Sequence, residues 1–278
     1  MSEQLYTKAP GRRRCTELSV LLSLLAVLVV LAPMFLMASA QSVRSQPSVE
    51  AFFDPFDAVS SKRWYISEGW SNGSWQNCTW SRRAITLEDS TLRLLFLPAA
   101  KGSSEPQLCG EVQTKPRFLH GTFEARIKTD RASGVNAAFF TYIGPVHEKP
   151  HDEIDVEILT RDTGQVFFNT YRSGQAGKSV TSPLPVPADS AFQTYSFIWE
   201  PDRIRWFVDG ILMHESTTDV PVTPQKIYLS HWGSDTLTDW MGPFTPPDRP
   251  LVMEVDWVAY TPLGALCQFP ESVLCQVQ

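Results

Sequence analysis

The chain has 278 residues, enough for one large domain or two small ones, and its 43% hydrophobic and 19% charged composition excludes a disordered or collagen-like protein. Its formal charge is −6 and no long basic run follows residue 40, which argues against nucleic acid as a partner. Nine Trp, seven Tyr and 16 Phe supply a β-sheet core and faces for stacking on flat ligands.

The N-terminus reads as an export signal. Arg12, Arg13 and Arg14 precede an apolar run over 18–37, which closes on Ala38, Ser39 and Ala40. A basic stretch, an apolar stretch and a small-residue cleavage site form a secretory signal. The run, at roughly 20 residues, would also span a bilayer if left uncleaved. Residues 1–40 are therefore assigned as signal peptide or uncleaved anchor, and 41–48 as a linker. Membrane contact is expected only through that first segment, and the remainder is expected to be secreted or periplasmic. Removing 1–40 takes away four basic and two acidic residues, leaving 20 and 28 and a net charge of −8.

Beyond residue 48 the pattern is strand and turn. Segments 91–97, 121–128, 137–143, 165–171, 193–199, 204–208 and 251–260 are short, rich in β-branched and aromatic residues, and bounded by Gly, Pro, Ser or Asp. Asp209-Gly210 is a hairpin signal, because this pair tolerates the positive φ of a type I′ turn. No segment after residue 40 keeps an apolar helical period over 12 residues. Many short strands and 21 prolines predict an all-β sandwich of two antiparallel sheets. Residues 49–260 form its single domain, and 261–278 a cysteine-containing tail.

Four cysteines follow the signal: Cys78, Cys109, Cys267 and Cys275. They allow three pairings, of which Cys78–Cys109 with Cys267–Cys275 is the simplest. Their spacing does not suit a zinc site, so they read as structural staples.

The segment that decides function is His151 to Leu159. In a strand, alternate side chains face opposite ways. Ile154, Val156 and Ile158 then enter the core, while Glu153, Asp155 and Glu157 line the other face. Three acids in a row with no cation between them repel one another unless one keeps a proton or the array serves a purpose. Glycosidic cleavage needs such a set: one carboxyl protonates the leaving oxygen while another attacks the anomeric carbon or activates water. A divalent-cation site and a merely solvated strand face remain alternatives for the same pattern. Residues i and i+4 of a strand have Cα atoms roughly 13 Å apart, far beyond the ~5–5.5 Å between carboxyl groups in retaining enzymes. The side chains would have to lean together on a curved sheet.

At Glu153-Ile154-Asp155-Val156-Glu157 the chain resembles glycoside hydrolase family 16, in the uninterrupted form of the motif found in lichenases and xyloglucan endotransglycosylases. The likeness continues through Trp70 to Gly73, Asn77 to Trp80, Phe139 to Pro145, Asp235 to Trp240 and Val255 to Tyr260. His151, with Ser230 to Trp232, looks like the subgroup of bacterial endo-1,3-1,4-β-glycanases acting on succinoglycan-type exopolysaccharide. The resemblance implies a β-jelly-roll with a concave substrate cleft and a monomer acting on polysaccharide. It implies retaining double displacement, with Glu153 as nucleophile, Glu157 as acid/base and Asp155 positioning the nucleophile. Trp70, Asn72, Glu111, Tyr142, His151, Asn169, Tyr171 and Trp232 match or adjoin substrate-contacting positions. Cys78 and Cys109 match a family disulfide. Asp256 matches a ligand of a structural Ca2+, with backbone oxygens near Pro55 and Ser90, and no cofactor is implied for catalysis. Gln113, His151 and Ser230 depart from the lichenase pattern near the donor subsites, which puts strict lichenan specificity in doubt. Transglycosylation by the same glutamates, a lectin-like sugar-binding module and a cation-dependent adhesin are the other readings.

Overall fold

The computed structural model describes residues 50–276, so the export segment and the whole of the 41–48 linker lie outside the described residues. The first strands are β1 (Phe52–Asp54), β2 (Trp64–Ile66), β3 (Cys78–Trp80), β4 (Ile85–Glu88), β5 (Thr91–Pro98) and β6 (Gln107–Thr114). Then come β7 (Gly121–Thr129), β8 (Val135–Ile143), β9 (Asp152–Leu159), β10 (Gln165–Arg172), β11 (Gln175–Ala176) and β12 (Val180–Pro183). The series ends with β13 (Gln193–Trp199), β14 (Ile204–Val208), β15 (Ile211–Ser216), β16 (Lys226–Gly233) and β17 (Leu251–Pro262). The only α-helical segment among the described residues is a single turn, Thr238–Met241.

Apart from the parallel β3–β6 pair, the strands form two antiparallel layers, the jelly-roll sandwich expected. The back sheet runs β4-β5-β17-β7-β13-β14-β15, with β1 also on β17. The front sheet runs β2-β6-β16-β8-β9-β10-β12. Strand β6 belongs to both: Gln107 to Cys109 pair with β5, and Gly110 to Gln113 pair with β16. The layers are thus joined through one continuous backbone.

Alternation places the core between them. Ile154, Val156 and Ile158 are at most 2% exposed and belong to a cluster with Phe139 and Phe168 from the front sheet and Phe197 and Trp206 from the back. Phe139 meets Phe197 at 5.6 Å and Phe168 meets Trp206 at 5.7 Å, ring centroid to centroid. Each such side chain contributes roughly 1.5–3 kcal/mol by leaving water. The β14–β15 hairpin turns on Asp209 and Gly210, both at positive φ. Both cysteine pairs are disulfide-bonded, Cys78–Cys109 beside β6 and Cys267–Cys275 in the tail.

The tail is folded against the back sheet. Ser272 Oγ donates to Glu124 Oε2 at 2.6 Å and Val273 N to Oε1 at 2.8 Å, while Ser196 Oγ also reaches Oε1. Val273 packs on Ile198 and Phe207, and Phe269 on Phe53 and Trp257. Glu124, fully buried, is thereby supplied with three donors.

Candidate active site

Strand β9 carries the site. With its isoleucines and valine in the core, Glu153, Asp155 and Glu157 share the outward face of the front sheet. Asp152, at the head of the strand, accepts from the backbone N–H groups of Ser173, Val222 and Thr223 and so ties β9 to two loops. The strand registers extend each acid into a row across the sheet. Lys226, Tyr142, Glu153 and Tyr171 lie side by side, as do Gln113, Tyr228, Phe140, Asp155 and Asn169. The next row is Glu111, Ser230, Ala138, Glu157 and Phe167, followed by Trp232, Asn136 and Leu159. Aromatic rings and acids therefore alternate on one surface, as an amphipathic sugar chain requires.

The acids occupy unequal environments. Glu153 and Glu157 are partly open, whereas Asp155 between them is 4% exposed. Burial raises Glu157, and Asn136 and the Glu153 charge modify it, leaving it at about 8. Asn136 Nδ2 donates to Glu157 Oε1 at 2.7 Å. Burial, then the charges of Glu153 and Glu157, push Asp155 well above the usual carboxylate range, and Asn169 opposes this. The hydrogen bond between Asp155 and Glu153 raises the first and lowers the second, so it favours the proton on Asp155. Burial also raises Glu153, but a hydrogen bond and the charge of His151 pull it back. His151 Nε2 stands 2.5 Å from Glu153 Oε2, its ring stacked on Tyr171 at 4.5 Å and edge-on to Tyr142. The resulting pattern is a Glu153 whose charged form is favoured by His151 and Asp155 against the upward push of burial, and a Glu157 raised to about 8 four residues on. Opposite protonation states at neighbouring carboxyls are what acid-assisted displacement needs.

Glu153, Asp155, Glu157, Tyr142, His151, Asn169 and Tyr171 are brought together. Glu111 lies three strands from Glu157, buried, accepting from Ser67 Oγ at 2.5 Å, and raised by burial to about 7. Trp232 is 7% exposed and packs against Trp75 and Trp240, so it presents only an edge. Trp70 and Asn72 sit on the exposed loop before β3, where Trp70 meets the edge of Trp80 and Asn72 N donates to Gln76 Oε1. Asn136 was not among the expected residues. Its signal was present: it continues the alternation of Tyr142, Phe140 and Ala138 by one more step, beyond the 137–143 bounds read from sequence.

The structural Ca2+ expected at Asp256 is not shown. The carboxylate is ion-paired with Arg126, and a guanidinium on the one acidic side chain of that set is a poor companion for a divalent cation. Among the described residues no cluster of three His, Cys, Asp or Glu could hold a metal.

Comparison with known proteins agrees in sequence and in fold. The family model of glycosyl hydrolases family 16 matches residues 72–259. The chain is 47% identical over 231 residues to the endo-1,3-1,4-beta-glycanase ExoK of Rhizobium meliloti, covering 82% of this chain and 85% of that protein. It is 36% identical over 212 residues to the beta-glucanase of Bacillus subtilis, covering 76% and 86%. A prokaryotic beta-1,3-1,4-glucanase (lichenase) from a mouse hindgut metagenome superposes with a TM-score of 0.75 at 36% identity, covering 77% of this chain and all of the other.

Proposed function

The chain belongs to glycosyl hydrolases family 16 and is a glycoside hydrolase; on that premise we propose that it is an exported endo-β-glycanase cutting β-1,3/1,4-linked glucan-type polysaccharide by retaining double displacement. The observation that carries the reading is the row of three carboxyls on one face of β9, with His151 against Glu153 and Asn136 against Glu157. Glu153, ionised and held by His151 and Asp155, attacks the anomeric carbon as the glycosidic C–O bond breaks. Glu157, still protonated, gives its proton to the departing oxygen. In the second half Glu157, now a base, takes a proton from water, which attacks the same carbon and releases Glu153. Asp155 supplies a hydrogen bond to Glu153 throughout and transfers nothing.

The names of the relatives support mixed-linkage β-glucan or exopolysaccharide as substrate. Tyr142, Tyr171 and Phe167 would stack on sugar faces, while Asn169, Glu111 and Gln113 would bond hydroxyls. Trp70, Asn72 and Trp232 would line more distant subsites. Two disulfides and the N-terminal sequence support work outside the cytoplasm.

Glu153→Gln and Glu157→Gln are each expected to lower kcat about 10²- to 10⁴-fold with an unchanged far-ultraviolet circular dichroism spectrum. A reducing-sugar assay in parallel on lichenan, laminarin, xyloglucan and succinoglycan reads both activity and substrate class. Full activity in either variant would overturn the assignment.

A further inference from the structure

We propose that His151 is the positioning residue of Glu153: its Nε2–H fixes one carboxylate oxygen, so that the other alone faces the sugar. This deepens the functional reading above and rests on it. The argument starts from donors and acceptors. An ionised Glu153 has no proton to offer, so a contact of 2.5 Å between Nε2 and Oε2 requires the proton on Nε2. A charge-assisted hydrogen bond of this kind is stronger than a neutral one and restricts the carboxylate's rotation.

The imidazole itself is held. Tyr171 from β10 stacks on it at 4.5 Å with planes 17° apart, and Tyr142 from β8 closes its other side edge-on at 5.3 Å. Both tyrosines lie in the same row as Glu153, in register on either side of it. His151 O accepts from Gly174 N, which fixes the backbone beneath the ring. The groups that face His151 are thus Glu153 from its own strand and the two phenols, with Asp155 and Glu157 further along β9. His147 and Lys226 stand beyond Tyr142, on its far side.

The contact has a role in both halves of the reaction. When Glu153 forms its bond to the anomeric carbon, it loses its negative charge, and the His151 hydrogen bond weakens. When water displaces the sugar, that charge returns and the waiting N–H receives it. His151 therefore favours departure of Glu153 as a carboxylate, and it lowers the Glu153 carboxyl against the upward push of burial.

Two measurements test this. In His151→Phe the ring and its stacking on Tyr171 remain while the donor is gone; in His151→Gln a donor remains without the ring. We expect kcat on mixed-linkage β-glucan to fall about 10- to 100-fold in His151→Phe, as for loss of a hydrogen bond to a charged group. The acidic limb of its pH profile should move to higher pH, and His151→Gln should recover most of both changes. An effect on KM alone, with kcat and the acidic limb unmoved in His151→Phe, overturns the proposal. The second measurement needs no turnover: proton–nitrogen NMR of the wild type should show a downfield-shifted Nε2 proton on His151, lost in Glu153→Gln. Its persistence in that variant overturns the proposal too. A wild type inactive on every glucan would sink the functional reading instead, and the NMR result would still decide the contact.

Discussion

Glu157 and His231 show how single side chains set the pH range of this protein in opposite directions. An ordinary glutamate titrates near 4.5 and Glu157 at about 8, so between those values the folded protein holds a proton the unfolded chain has released. The stability from that proton is complete below 4.5 and is lost as pH rises through 8. Burial lowers His231 from 6.5 to about 4, its Nδ1 lying 3.0 Å from Leu94 O. Its contribution is complete above 6.5 and is lost as pH falls through 4. Glu157→Gln keeps an acceptor for Asn136 and removes the charge. At pH 8.5 it should therefore be more stable than the wild type by about 1–2 kcal/mol, a few degrees of Tm. At pH 5 the gain should vanish. Thermal melts at the two pH values check this; a gain of equal size at both would refute the account. Here the sequence was informative about placement, since alternation alone put 153, 155 and 157 on one face. It was silent about which acid keeps its proton, because that depends on Asn136, Asn169 and His151, and on how deeply the sheet buries each oxygen.

Strand β6 is one of the elements that sequence reading missed, and the reason is physical. A strand shows itself by contrast between its two faces, and β6 has none in composition: Gln107, Glu111, Gln113 and Thr114 are polar, yet nearly all of it is buried. Its acids and amides are covered by neighbours on the front sheet instead of by solvent. Strand β16, equally buried on both faces, was passed over for the same reason. By contrast β13 and β14 were read at their observed bounds, because aromatic and β-branched residues cluster between clear breakers. Gly110 marks the point where β6 leaves one layer for the other. A Cβ there would stand 2.7 Å from Ala84 O and 3.1 Å from Leu94 Cα, both backbone atoms that cannot swing aside. Gly110→Ala should therefore cost about 1–3 kcal/mol, as overpacking does. Urea unfolding measures it, and a variant as stable as the wild type would show that the layers have slack.

At the scale of the whole molecule the tail proves to be part of the fold. Nothing in residues 261–278 announced this, because its partner, Glu124, lies more than a hundred positions earlier in what reads as an ordinary strand. Burial raises Glu124, and the donors Ser272, Val273 and Ser196 pull it down again. The tail thus supplies hydrogen bonds to a carboxyl that the back sheet would otherwise leave dry. Ser272→Ala removes one of these donors. It should destabilise the protein by about 1–3 kcal/mol at pH 7.5, and by less at pH 4.5, where a raised Glu124 is more often neutral. Melting curves across that range provide the check, and a loss independent of pH would assign the tail to apolar packing alone.

Because β6 is a member of both sheets, the sandwich has a seam in place of a hinge. Neither layer can rotate on the other without breaking the strand they share, and the disulfide at Cys109 sits beside that seam. The front sheet that carries the acids is consequently tied to the back sheet before any glycan arrives. Fitting is left to the polysaccharide, whose rotatable linkages must adopt the shape the protein already has.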